Sequence, residues 1–470
     1  MERMNLRNQN QFANFSRGRK AVGWRLFLQT LKGIIFCAAF YTASLPLFTI
    51  LPGTIPNANG ADIQGPKIYA GMSVPLTGES KNLGIAMRDG VKIYFDKINT
   101  LGGIKSKGKT YFLELIVKDD GYEPDSAAEN MHEFASDGRI IGVVGNVGTP
   151  TAAVTLPIAN KKKLLLFGAF TGAGLLRKEP PDRYVINYRA SYAEETAEMV
   201  KALLRSGIAA DEIAYFTQND SYGDAGFDGA MQALESAGQE IPKRIAHGRY
   251  TRNTSNIELG YAEILRTYMQ TRIRPKAFIL VGTAKPCARF IKLAKMDFPD
   301  AYYLNVSFVG TVALKKELGE KGKRVIITQV VPYIAKLNGK REEIVDQYVE
   351  DIGSFNERNG KRARKSYVSL EGYIVASIFT EGLKKALDDG KEINRETIID
   401  ALETLSPAKL GIENLAHLSK SEHQFSHRIW ATHITEYKVK RDEKTIKRIG
   451  LRPFIGRGKD GKIVMMPFSD

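Results

Sequence analysis

Between residues 67 and 167, short apolar runs alternate with segments whose apolar residues repeat at helical spacing. This alternation restricts the fold more than any other property of the chain. The runs are KIYAGMSVPL from Lys67, then residues 111–117, 140–144 and 164–167. After the first, Leu83, Met87, Val91, Tyr94 and Ile98 step by four, four, three and four, which makes one buried helical stripe. Residues 124–134 and the segment opened by Thr149-Pro150-Thr151 supply two more helices. The order β-α-β-α-β-α-β predicts a parallel, doubly wound sheet.

A second series follows the segment RYVINY. Helices are expected over 193–204, 226–237, 256–267 and 287–295, and strands over 213–217, 241–245, 277–281 and 303–309. The run VIITQVVPYI at 325–334 precedes helical segments at 342–355, 369–387 and 395–402. The expectation is an α/β chain of two doubly wound β/α lobes joined by a multi-strand hinge, a clamshell. Residues 1–60 are set apart as a signal peptide or membrane anchor. Residues 61–189 form the first part of lobe 1, 190–331 lobe 2, 332–425 the second part of lobe 1, and 426–470 a hinge return with a basic extension.

The N-terminal segment sets the compartment. Arg3, Arg7, Arg17, Arg19, Lys20, Arg25 and Lys32 precede the apolar run GIIFCAAFYTASLPLFTIL, a basic-then-apolar order that means export or anchoring. The small-x-small site Ala58-Asn59-Gly60 precedes Ala61, so cleavage there gives a mature chain starting Ala-Asp-Ile; an uncleaved anchor is the alternative. Cys37 lies inside the apolar run without the small residues that precede a lipid-modified cysteine, and its removal leaves Cys287 alone. The net charge of +16 is largely terminal: residues 1–32 hold seven Lys/Arg against one acid, and residues 438–462 hold ten against three. Aromatic residues are not interleaved with the basic ones in a stacking pattern, so no nucleic-acid partner is expected, and the C-terminal stretch reads as a solvated or membrane-facing tail.

Residues 145–173, GNVGTPTAAVTLPIANKKKLLLFGAFTGA, bring two strand exits lined with small and hydroxyl residues to one sheet edge. Thr149 reads as a helix cap with Pro150 at the first helical position, so unpaired amides face the exit and suit a carboxylate. Gly168-Ala169-Phe170-Thr171 arrives at the same edge, where open α/β sheets bind ligands.

Other motifs carry less. Gly103 to Thr110 matches a phosphate-loop pattern, but a helix precedes it and a strand follows, the reverse of what a phosphate loop needs, so it reads as a basic turn. His423 and His427 have a chelating spacing but lack accompanying ligands and read as polar surface residues. Asp119-Asp120 reads as a pair that fixes the turn Gly-Tyr-Glu-Pro by bonding its backbone. Gly71-Met-Ser73-Val-Pro75 is only superficially a nucleophile elbow. No set of groups makes a catalytic centre, and neither an enzyme activity, a cofactor nor a metal is expected.

In order, MSVPLTGESKNLGIAMRDGVKIYFDKIN, KDDGYEP, GNVGTPTAAVTLPIA, FGAFTGAGLLR, INYRASY, FTQNDSYGDAG, ITQVVPY and SLEGYIVASIFTEGL resemble the leucine/isoleucine/valine-binding type of solute receptor serving ABC importers. The resemblance runs from about Lys67 to His427 and implies a type I periplasmic-binding clamshell that closes on ligand without chemistry. It implies that Thr149, Ala169 and Thr171 hold a ligand carboxylate and that Tyr222, with Asp220 beside it, lines the other side; Phe170, in the same loop, is a further ligand-binding candidate. Ser307 stands where such receptors place a carboxylate for the ligand ammonium, and the aromatic position near Ala284 is missing. Asp220 or Glu79 is then left to pair an ammonium. The expected function is an extracytoplasmic, periplasmic solute-binding protein, a monomer or weak dimer, that closes on an amino acid, amide or carboxylate and delivers it to the membrane permease of an ABC importer. A ligand-sensing ectodomain held by the uncleaved N-terminal helix and signalling through a separate partner is the alternative.

Overall fold

The computed structural model describes residues 65–360, 363–406, 410–441, 444–457 and 463–465. The N-terminal export segment, the Ala58-Asn59-Gly60 site, Cys37 and part of the basic C-terminal stretch lie outside them. No helix among the described residues is long and apolar enough to cross a membrane.

One sheet contains β1 (Lys67–Val74), β2 (Ile104–Ser106), β3 (Lys109–Asp119), β4 (Ile140–Val144), β5 (Leu165–Phe167) and β6 (Val185–Ile186), ordered β2-β3-β1-β4-β5-β6. Neighbours from β3 to β6 are parallel, because α1 (Lys81–Thr100), α2 (Pro124–Ser136) and α3 (Thr149–Lys162) carry the chain back between successive strands. The phosphate-loop lookalike is a hairpin turn: Lys107 and Gly108 take positive φ between β2 and the antiparallel β3.

The second sheet follows α4 (Tyr192–Arg205), which Ser191 and Glu194 start with a reciprocal capping box. Next come β7 (Ile213–Gln218), α5 (Ser221–Ser236), β8 (His247–Tyr250), α6 (Glu258–Thr271), β9 (Ala277–Val281), α7 (Ala284–Asp297), β10 (Tyr302–Asn305), α8 (Thr311–Leu318) and β11 (Val325–Gln329). The chain then returns to the first lobe through α9 (Glu343–Asn359), α10 (Tyr367–Asp388) and α11 (Arg395–Glu403). Most of α10 is buried, and Tyr373 meets Tyr94 of α1 edge-on at 5.0 Å. Finally β12 (Trp430–Arg441) and β13 (Lys444–Pro453) form an antiparallel hairpin on β11, giving the order β13-β12-β11-β10-β9-β7-β8. A small antiparallel pair, β14 (Ile455–Arg457) and β15 (Ile463–Met465), follows.

Three expectations change. Residues 241–245 are not a strand; Pro242 has no amide to give a ladder, and the alternating burial begins at Ala246, so β8 pairs with β7 instead. The strand expected over 303–309 stops at Asn305, and Ser307–Val309 is a single tight turn because the Ser307 amide bonds to the Glu195 carboxylate (2.7 Å). Much of the basic stretch after Trp430 is the β12–β13 ribbon rather than a tail.

The crossovers between lobes run side by side. The Asn187 amide donates to the His423 carbonyl (2.7 Å), Phe425 to Asn187 (3.0 Å) and Ser426 to Tyr188 (2.8 Å). The third strand of the hinge joins them through Tyr333, whose hydroxyl donates to the Ala431 carbonyl (2.9 Å).

Candidate functional site

The first-lobe side of the cleft is made by the exits of β4 and β5. The two loops are stitched together: Gly148 donates to the Phe170 carbonyl (3.1 Å) and Phe170 to the Asn146 carbonyl (2.7 Å). Gly148 has φ 109°, and a Cβ there would lie 2.2 Å from Tyr122 Cε2, so glycine is required for this approach. Thr149 is the first residue of α3, and Gly148 holds the cap position. The Thr149 hydroxyl therefore does not cap; it meets the Thr171 hydroxyl at 2.7 Å, both side chains being buried. The amides of Thr149 and Thr151 lie in the first turn, where no intrahelical carbonyl reaches them. Asp119 and Asp120 brace this side as expected. Asp119 Oδ1 accepts from Leu76 (2.7 Å) and Gly121 (2.9 Å), and Asp120 accepts from the Tyr122 amide (2.9 Å) and the Ser73 hydroxyl (2.8 Å). Burial pushes the Asp120 carboxyl up to about 6, against the pull of those two bonds.

The second-lobe side is aromatic. Phe308, in the turn after β10, is fully buried, with its ring 4.7 Å from Tyr222 and 6.5 Å from Tyr192. Across the cleft it stacks on Phe170 at 5.1 Å and approaches Tyr122 at 6.1 Å. Phe308 therefore joins the two lobes, packed between Phe170 and Tyr222. A cavity of about 430 Å³ lies beside the crossovers, lined by Tyr333, Arg341, Glu342, Arg428 and Trp430.

A buried charge cluster sets the position of Phe308. Arg189, on the first crossover, lies over the rings of Phe170 (4.9 Å) and Tyr192 (5.6 Å) and pairs with Glu195 of α4 (3.1 Å). Glu195 accepts from the Ser307 amide (2.7 Å), the Ser307 hydroxyl (2.8 Å) and the Thr328 hydroxyl, and so fixes the turn that carries Phe308. Glu371 of α10 faces Arg189 from the first lobe at 3.6 Å. Burial works against the Arg189 charge, but Glu371 and Glu195 together raise its pKa. Arg189 is thus held cationic, shared by one carboxylate from each lobe.

The expected residues fall into two groups. Thr149, Thr171, Phe170 and Tyr222 converge on the cleft; Tyr222 also donates from its hydroxyl to the Gly282 carbonyl (3.3 Å). Ala169 contributes its backbone, accepting from the Thr171 amide (2.8 Å). Asp220 caps α5, accepting from the Tyr222 amide (3.0 Å) and from Gln218 Nε2 (2.8 Å). Ser307 is committed to Glu195, and Glu79 sits at the rim, paired with Lys285 at 2.9 Å. Near Ala284, the Tyr250 hydroxyl accepts from the Thr283 amide (2.9 Å).

His423 is a correction: it is buried, donating from Nδ1 to the Val185 carbonyl (2.8 Å). His427 is half-exposed and pairs with Glu194 (2.7 Å). Among the described residues no three His, Cys, Asp or Glu side chains are placed to hold a metal. Phe308, Arg189, Glu195 and Glu371 were missed. Arg189 carried a signal, an arginine inside the apolar and aromatic crossover INYRASY, whereas Phe308 was hidden in an apolar run that read as strand.

Residues 67–440 match the sequence model of a periplasmic binding protein family. Among solved structures, the chain is similar to a possible leucine/isoleucine/valine-binding protein from Rhodopirellula baltica SH 1, at 38% identity and TM-score 0.72, covering 83% of this chain and 98% of that one. A branched-chain amino acid ABC transporter protein from Thermus thermophilus with bound valine shares the fold at 16% identity and TM-score 0.64, covering 82% and 96%. So does a fatty acid ABC transporter substrate-binding protein from Thermomonospora curvata, at 19% identity and TM-score 0.64, covering 83% and 94%.

Proposed function

This chain belongs to the periplasmic binding protein family, and from that premise we propose that it closes its lobes on a small polar solute, an amino acid, amide or carboxylate, and delivers it to an ABC-type permease. The observation that carries the ligand reading is the Thr149–Thr171 hydroxyl pair, at the end of two adjacent parallel strands and beside the start of α3. Two hydroxyls and first-turn amides form a neutral cradle of donors for a carboxylate or other acceptor group. Tyr222 and Phe308 of the second lobe then cover the rest of the solute. The 38% identity to the Rhodopirellula protein supports a small-solute receptor over an enzyme. Export across the inner membrane, directed by the basic-apolar N-terminus, belongs to the same reading.

Calorimetry tests the docking, after a thermal-shift screen of amino acids, amides and carboxylates identifies a ligand. Thr171→Val should weaken it by about 1.5 to 3 kcal/mol, roughly tenfold to more than a hundredfold, through loss of a bond to a charged group. Tyr222→Ala should weaken it as well, and circular dichroism reports whether both variants fold. Wild-type affinity in both would place the solute elsewhere.

A further inference from the structure

The carboxylates around the cleft already have partners, whereas a buried amide donor does not. Asn146 Oδ1 accepts from the Ser73 amide (2.9 Å), but its buried Nδ2 has no hydrogen-bond partner among the described residues. The buried Tyr192 hydroxyl adjoins Thr171. By contrast, Glu195 is taken by Arg189, Ser307 and Thr328; Asp120 by Ser73 and Tyr122; Asp220 by Tyr222 and Gln218. At the rim Glu79 pairs with Lys285 (2.9 Å), and Glu123 with Arg252 (2.7 Å) and Asn253 (2.6 Å). Glu371 keeps an Oε1 without a hydrogen bond, but it faces Arg189, so a ligand cation brought there meets another cation.

Resting on the docking proposed above, we infer that the cleft takes carboxylic acids with a flat or apolar body and discriminates against the corresponding α-amino acids, and that Phe308 sets the preference for the body. An acid finds donors at Thr149, Thr171 and the helix start. Its α-amino counterpart buries an ammonium among carboxylates that already have partners, which a closed site disfavours. The body is selected by replacement. Phe308 stacks on Phe170 across the cleft, so a solute lying between the lobes breaks that contact and must return a comparable one. A ring or a branched apolar chain does so; a short polar body does not.

The test titrates the purified protein with two matched pairs of probes, 3-phenylpropionate against phenylalanine and 4-methylpentanoate against leucine. The expected result is that each acid binds at least tenfold more tightly than its amino acid, and that Phe308→Leu narrows the advantage of 3-phenylpropionate over 4-methylpentanoate. Equal or tighter binding of either amino acid overturns the inference. If that binding is lost in Thr171→Val, the first-lobe docking survives while the discrimination does not. An acid that binds with undiminished affinity to Thr171→Val overturns the docking itself. No binding of any of the four probes overturns the assigned ligand class. An unchanged preference in a folded Phe308→Leu protein removes Phe308 from the selection.

Discussion

The first-lobe face of the cleft is made of backbone turns and hydroxyls at the ends of β4 and β5, whereas the second-lobe face is made of rings carried on α5 and on the turn after β10. The first face is held by local means: short-range loop bonds, glycines with positive φ and the Asp119-Asp120 brace. The second is held at long range, by Glu195 reaching Ser307 in a turn more than a hundred residues away and by Arg189 stacked behind Phe170. A face of fixed donors recognises a group by direction. A face of rings recognises a body by area, and its position depends on charges that no ligand need touch.

The comparison breaks most severely at the buried charges. Arg189→Leu takes from the buried Glu195 and Glu371 the cation they share, and loss of one partner of such a cluster costs on the order of 3 to 5 kcal/mol. Urea unfolding should show that loss, and Arg189→Leu combined with Glu195→Gln should recover part of it. If Arg189→Leu unfolds at the wild-type midpoint, the second face does not depend on this cluster.

On the first face, Gly148→Ala forces a side chain into a left-handed backbone and against Tyr122. A cost of roughly 1 to 3 kcal/mol is expected, with weaker ligand binding beyond the stability loss. Thermal unfolding and calorimetry on the same samples separate the two effects. A neutral substitution would show that the loop relaxes and that the donors are not rigidly placed.

The pH dependence sharpens the contrast. Burial pushes Glu371 from 4.5 up to about 7, with Glu195 adding to the rise and Arg189 and Arg177 opposing it. The folded state therefore holds this proton more tightly than the unfolded chain, so the contribution is fully present below about 4.5 and is lost as pH rises toward 7. Glu194 has the opposite sign: burial raises it, but His427, Ser191 and Gln424 outweigh burial and bring it down to about 2, so its stabilisation is lost as pH falls from 4.5 toward that value. Glu371→Gln should remove the first dependence alone. Wild-type stability relative to that variant should decline between about pH 5 and pH 7, and a difference constant with pH would show that Glu371 stays ionised throughout.

The smallest effect is expected at the rim, where Lys285–Glu79 and Arg252–Glu123 span the lobes in solvent. Lys285→Ala and Arg252→Ala should each change ligand affinity by no more than about 1 kcal/mol, and less at high salt. A larger, salt-resistant loss would make these pairs part of the closing energy.

Much of the architecture and of the first face was legible in the sequence. The stripe Leu83, Met87, Val91, Tyr94 and Ile98 faces the core as its spacing requires, and the loops carrying Thr149 and Thr171 meet as parallel neighbours must. The helix cap was misassigned because Thr149 found a partner across the sheet edge, and a cross-loop bond leaves no trace in local pattern. The end of β10 was misread for a related reason: Ser307-Phe308-Val309 continues an apolar run, and only the Glu195 carboxylate bends it into a turn.

The sequence by itself determined two β/α lobes, the strand exits with their hydroxyls and the turn fixed by Asp119-Asp120, because periodicity and side-chain bonding to nearby backbone act over a few residues. Only the tertiary structure decided that Phe308 enters the cleft, that Arg189 is shared between carboxylates of both lobes, and that the ribbon after Trp430 completes the second sheet. Those arrangements join residues far apart in the chain. Their energy comes from excluding water around charges and rings that meet only when the lobes pack, and no local pattern contains that meeting.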